Sequence, residues 1–107
     1  MKSSGYDLTI SEQAHADIRN YIIYTIIKHQ DYFAARRIRR DYEETLSYIK
    51  IIGPGARKEE ILEGLDNLYS VKFRKYPARI YYMVEGKRVI VKRVIHMKQD
   101  ITGINML

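Results

Sequence analysis

Arg79 and His96 are the residues of this 107-residue chain whose types best suit phosphate chemistry. A guanidinium holds phosphate oxygens by charge-assisted hydrogen bonds. An imidazole moves a proton near neutral pH. Lys72 and Arg74 add positive charge close by in sequence, and Tyr81 offers a ring to stack on a base. Together they suit RNA cleavage. RNA carries its own nucleophile in the 2′-hydroxyl, so no metal is required. The reaction needs a base for the 2′-hydroxyl proton, positive charge for the crowded phosphate, and an acid for the leaving 5′-oxygen. Each residue also has a plainer reading. Lysine and arginine on an exposed sheet face keep it soluble, and one histidine at a strand end is commonly a polar terminus. Residue chemistry alone leaves the function open.

The elements that must position these residues follow from periodicity. Tyr6 to Ile10 reads as a short strand. Ser11 offers a helix N-cap, with Glu12 in the first turn. Ala14, Ile18, Tyr21, Ile22 and Thr25 follow at helical spacing, and Ile23, Ile26 and Ile27 widen the stripe, which predicts a helix covered on more than one side. His29-Gln30-Asp31 breaks the pattern, and Asp31 can cap a second helix carrying Ala35, Ile38, Tyr42, Leu46 and Ile49. So short a break predicts an antiparallel helical hairpin. Tyr21, Tyr24 and Tyr42 should lie in the core or at its edge. The run Arg36-Arg37-Arg39-Arg40 reads as a solvated face paired with Asp41, Glu43 and Glu44.

Gly53-Pro54-Gly55 ends the helices, and residues 56 to 67 are polar connection. The period then changes to two over Tyr69 to Tyr76, Arg79 to Val84 and, after a turn at Glu85-Gly86, Arg88 to His96. The expected fold class is α+β: an N-terminal strand, an antiparallel two-helix hairpin, then a three-stranded antiparallel meander, in one domain spanning 1–107. One sheet face should pack on the hairpin. The other should be free and gather Lys72, Arg74 and Arg79. The last strand resists assignment by parity, because Lys92 and His96 share a face with Arg88, Ile90 and Val94. The tail Ile101 to Leu107 is apolar and is expected to pack on the core.

Composition sets the boundaries. The net charge is +6, from 19 Lys and Arg against 13 Asp and Glu, a balance that attracts polyanions or an acidic protein. The absence of cysteine excludes disulfides, thiolate catalysis and cysteine-based zinc sites, and suits a reducing cytoplasm. The start MKSSGYDLTI lacks the apolar core of a signal peptide, and YIIYTII is far shorter than the ~20 residues of a membrane span. His15 and His29 show no metal-ligand spacing, so no metal and no cofactor is expected.

The order of elements and motifs resembles the RelE/ParE superfamily of toxins from bacterial type II toxin–antitoxin modules. The segment SEQAHADIRNYIIY is similar to the family's first helix, through Ser11, Ala14, Asp17, Ile18 and Tyr21. FAARRIRRDYEETLSYI is similar to the second helix. ARIYYMVEGKRVIVKRVIHMKQD is similar to the family's ending, through Arg79, Ile80, Tyr82, Val84, Gly86, Val89, His96, Gln99 and Asp100. Ala78 stands where an aromatic is usual, and Tyr69 where an arginine is common.

The resemblance implies a cytoplasmic toxin silenced by a cognate antitoxin, reaching operator DNA only through that antitoxin. RelE-like members cut mRNA in the ribosomal A site; ParE-like members poison DNA gyrase and have no nuclease site. The charge and the sheet cations point to the ribosome and mRNA. On that expectation Arg79 stabilises the phosphate and His96 transfers the proton. Lys72, Arg74 and Lys98 hold the RNA backbone, and Tyr81 stacks on or orients a base. A ParE-like gyrase poison and an inactive, antitoxin-binding member are the alternatives.

Overall fold

The structure, a computed structural model, describes residues 5–59 and 67–97. Lys98, Gln99, Asp100 and the apolar tail lie outside the described residues. Strand β1 (Asp7–Ile10) leads into helix α1 (Glu12–His29) and then α2 (Tyr32–Ile52). A single 3-10 turn at Gly53–Gly55 precedes β2 (Arg57–Lys58), β3 (Leu68–Lys72), β4 (Ala78–Glu85) and β5 (Arg88–His96).

Both helices start where the sequence indicates. The Ser11 hydroxyl accepts the Ala14 N–H at 3.0 Å, and the Asp31 carboxylate accepts the Ala34 N–H at 2.9 Å. These caps satisfy donors that have no partner within the helix. Gln30 takes a left-handed conformation (φ 52°) and its N–H closes on Ile26 C=O, ending α1. The α2 end needs Gly53. Its φ is +49°, and a Cβ there would fall 2.5 Å from the Tyr6 ring. The Tyr82 hydroxyl donates to Gly53 C=O at 2.6 Å, fastening that turn to β4.

The α+β expectation holds, but the sheet is larger than a meander. Its order is β1-β5-β4-β3-β2. β1 pairs in parallel with β5, aligning Asp7 with Arg88 and Ile10 with Val91. The two-residue β2 adds to the far edge inside the stretch expected to be connection. The core lies between the hairpin and one sheet face. Ala14, Ile18, Ile38, Tyr42, Leu46 and Ile49 from the helices meet Ile80, Tyr82, Val89, Val91 and Val94 from the sheet. Among the described residues, no helix is long and apolar enough to cross a membrane.

Five expectations change. Strand β3 stops at Lys72, so Arg74 sits in the loop before β4 rather than on the sheet. Asp41 is no member of the solvated arginine face: it is buried, and its carboxylate accepts the backbone N–H groups of Arg74, Lys75 and Tyr76 at 2.8–3.1 Å. Tyr24 is exposed. Helix α1, expected to be covered on more than one side, leaves the Ile23 and Ile27 side of its widened stripe exposed, at 44% and 72%. Finally, the sheet's second face is closed along much of its length, with Leu68, Ser70, Tyr81 and Ile95 buried. Leu68 and Met83 pair across strands, as do Met83 and Ile90, so this face is apolar too.

Candidate functional site

The cross-strand pairs Ser70↔Tyr81 and Lys72↔Arg79 put these four side chains on the second face, opposite the core residues Val71, Ile80 and Tyr82. Arg79 does not stand free there. Its Nε and one terminal nitrogen donate to Ser70 Oγ at 3.1 and 2.9 Å. The Ser70 hydroxyl in turn donates to Glu59 Oε2 at 2.5 Å. Arg57 Nε lies 3.5 Å from the same carboxylate oxygen. A guanidinium–hydroxyl–carboxylate–guanidinium chain therefore crosses β2, β3 and β4. It compensates a carboxylate that is only 3% exposed. Burial first, then the Glu59 charge, pushes the Tyr81 hydroxyl above its ordinary pKa. Of the residues expected on this face, Lys72 is exposed, and its ammonium reaches Phe73 C=O at 3.2 Å.

Sequence reading missed Glu59 and Ser70. Ser70 carried a signal, because alternation with Tyr69 and Val71 places it beside Arg79 and Tyr81. Glu59 carried none, since it sits in a polar stretch with no period.

His96 lies elsewhere. It pairs across the strands with Ala78, a fully buried core residue, and so faces the helices. Arg79, the next residue along β4, points to the opposite face. The structure does not bring Arg79 and His96 to one scissile bond. The cause is a β-bulge. Tyr81 pairs with Arg93 and Tyr82 with Val91, leaving Lys92 as an extra residue. That extra residue shifts the phase of β5. Val89 and Val91 face the core before it, and Val94 and His96 face the core after it. The parity that resisted assignment was two parities joined at Lys92.

The bulge is anchored from α1. The Ser11 hydroxyl donates to Lys92 C=O at 2.9 Å. Asp17 accepts the Arg93 guanidinium at 2.7 and 2.9 Å and the Val94 N–H at 2.9 Å. Asp17 thereby satisfies an edge of β5 that β1 is too short to reach. His96 packs edge-on to the Tyr21 ring, with centroids 5.7 Å apart. Both line a groove of about 800 Å³ between the hairpin and the β3–β4 loop, with Tyr24, His29, Tyr76 and Pro77. Burial, then the neighbouring Tyr76, raises the Tyr21 pKa. The Tyr76 hydroxyl accepts from Arg37 Nε at 2.9 Å. The groove is lined by rings, and its two carboxylates are engaged, Asp17 by Arg93 and Asp31 by the α2 cap.

Comparison with known proteins agrees with this architecture. The ParDE toxin–antitoxin system of P. aeruginosa contains a chain that superposes with a TM-score of 0.73 at 16% identity, covering 90% of this chain and 100% of that one. A substituted form of the E. coli toxin RelE in the free state gives 0.57 at 17% identity, covering 88% and 85%. The RelBE2 toxin–antitoxin complex of Mycobacterium tuberculosis gives 0.55 at 16%, covering 86% and 98%. At these identities the likeness is one of fold. No curated protein matches the chain. The sequence profile of the ParE toxin of the type II toxin–antitoxin system parDE matches residues 8–101. With that profile spanning most of its length and a fold shared with ParE and RelE toxins, the chain belongs to the ParE toxin family of type II toxin–antitoxin systems.

Proposed function

We propose that this toxin arrests growth by poisoning DNA gyrase, that it does so without cutting RNA, and that a cognate antitoxin holds it silent. The observation that carries the reading is the placement of Arg79 and His96 on opposite faces of the sheet. RNA cleavage needs acid, base and phosphate ligand around one phosphodiester. Here the guanidinium is tied to Ser70 and the imidazole lies against Tyr21. Buried Tyr81 offers no ring for a base to stack on. The ParE profile supports the same branch, and the complexes of similar fold support an antitoxin partner. Gyrase is cytoplasmic, and the reading places the toxin there. In this reading Arg79 is a positioning residue within the Glu59–Ser70 chain, and Lys72 and Arg74 supply exposed charge.

Two assays on the purified chain test it. Supercoiling by gyrase should fall, with cleaved DNA accumulating, while mRNA on programmed ribosomes stays intact. Cleavage within A-site codons, lost in both Arg79→Ala and His96→Ala, would overturn the proposal.

A further inference from the structure

We infer that the tip of the helical hairpin is the surface by which the toxin docks on its protein target, at an apolar patch bordered by carboxylates. The inference rests on the reading that the toxin acts by binding a protein.

The first observation is an apolar surplus. Between Thr25 and Ala35 no residue is buried, so the last turn of α1 and the first of α2 overhang the core. Yet Ile27, Tyr32 and Phe33 project there, with Ile23 and Tyr24 on the adjoining turn of α1, all exposed by 44–72%. These are five of the eight large hydrophobic side chains exposed among the described residues. Scattered exposed hydrophobics need no explanation; a cluster at one tip marks a contact surface.

The second observation is order. Gln30 closes α1 and Asp31 caps α2, so the patch sits on two terminated helices joined by a minimal link. A preformed surface loses little freedom on binding. The groove beside it shares Tyr24 with the patch and can receive an apolar side chain from the partner.

Charge selects the occupant. Lys28, Arg36 and Arg37 are exposed around the patch, while the nearby Asp31 is spent on the α2 cap. A complementary surface must carry carboxylates outside an apolar centre. A second copy would bring like charges together. Nucleic acid could answer the cations and the rings of Tyr24, Tyr32 and Phe33, but it leaves the aliphatic Ile23 and Ile27 with no apolar surface to bury against.

Two variants of the full chain test this. Ile27→Ser with Phe33→Ser removes the apolar anchors, and Lys28→Glu with Arg36→Glu reverses the rim. All four side chains are exposed, so melting temperatures should match the wild type. The expected result is growth arrest on induced expression only at roughly tenfold or more higher toxin levels for each pair. The gyrase assay, run in parallel, judges the proposed function separately. Arrest lost in the variants, with no vesicle binding by the wild type, stands for the tip whether or not gyrase is the target. Arrest undiminished in both variants overturns it, as does a wild-type chain that never arrests growth. Two further results overturn it: a wild-type dimer that the apolar variant dissociates with arrest unchanged, and binding to phosphatidylglycerol vesicles that the apolar variant abolishes.

Discussion

Asp41 shows how one side chain can set a loop. Its two oxygens accept three consecutive backbone N–H groups from the β3–β4 loop while the residue itself is buried. Asp41→Ala leaves those donors without their carboxylate partner. The expected loss is about 2–4 kcal/mol of folding stability, measured by urea unfolding. Tyr42 presents the opposite case. Its hydroxyl is buried with no hydrogen-bond partner among the described residues. Tyr42→Phe removes that cost and keeps the ring against Phe73, so stability should hold or rise by up to about 1 kcal/mol. The residue scale is also where the sequence was least legible. Arginine, histidine and lysine are visible in a string of letters, but their direction is not. Arg79 read as an open phosphate ligand because Ser70, which engages it, and Glu59, which engages Ser70, lie nine and twenty positions upstream.

Elements were more legible, for definite reasons. Ser11 and Asp31 announce helix starts because a short polar side chain is what an unpartnered N–H requires. The heptad-like run from Ala35 to Ile49 has one face to bury and buries it. Legibility fails where an element borrows its partner from far away. The parallel pairing of β1 with β5 spans some eighty residues and leaves no local pattern. Two-residue β2 is too short for any period, and the bulge at Lys92 breaks the alternation on which strand reading depends. Gly53 belongs to this scale. Any side chain there must push the Tyr6 ring and hold a strained φ. Gly53→Ala should cost about 2 kcal/mol or more, seen as a fall in melting temperature.

For the whole molecule, the tyrosines predict a response to alkali. Burial, partly offset by Arg39, raises Tyr42 to about 12, and burial raises Tyr82 further. In the unfolded chain these groups ionise near pH 10. The folded state therefore binds more protons than the unfolded one above that pH, and stability must fall as pH rises from 10 toward 12. Below pH 10 these groups contribute no pH dependence. Unfolding followed by circular dichroism should coincide with tyrosinate absorbance, and Tyr42→Phe should move the midpoint upward. A midpoint unmoved by that change would place the sensitivity elsewhere.

The pairing of the first strand with the last has a consequence for the organism that carries the gene. Ser11, Asp17 and all of β1 depend on atoms between Arg88 and Val94. A chain broken off before that point has a helical hairpin but no neighbour for its opening strand. Premature stops and frameshifts anywhere upstream of the Arg88 codon should thus disarm the gene instead of leaving a crippled poison. Cells escaping a lost antitoxin would be expected to carry such lesions spread along the gene rather than gathered at a few codons.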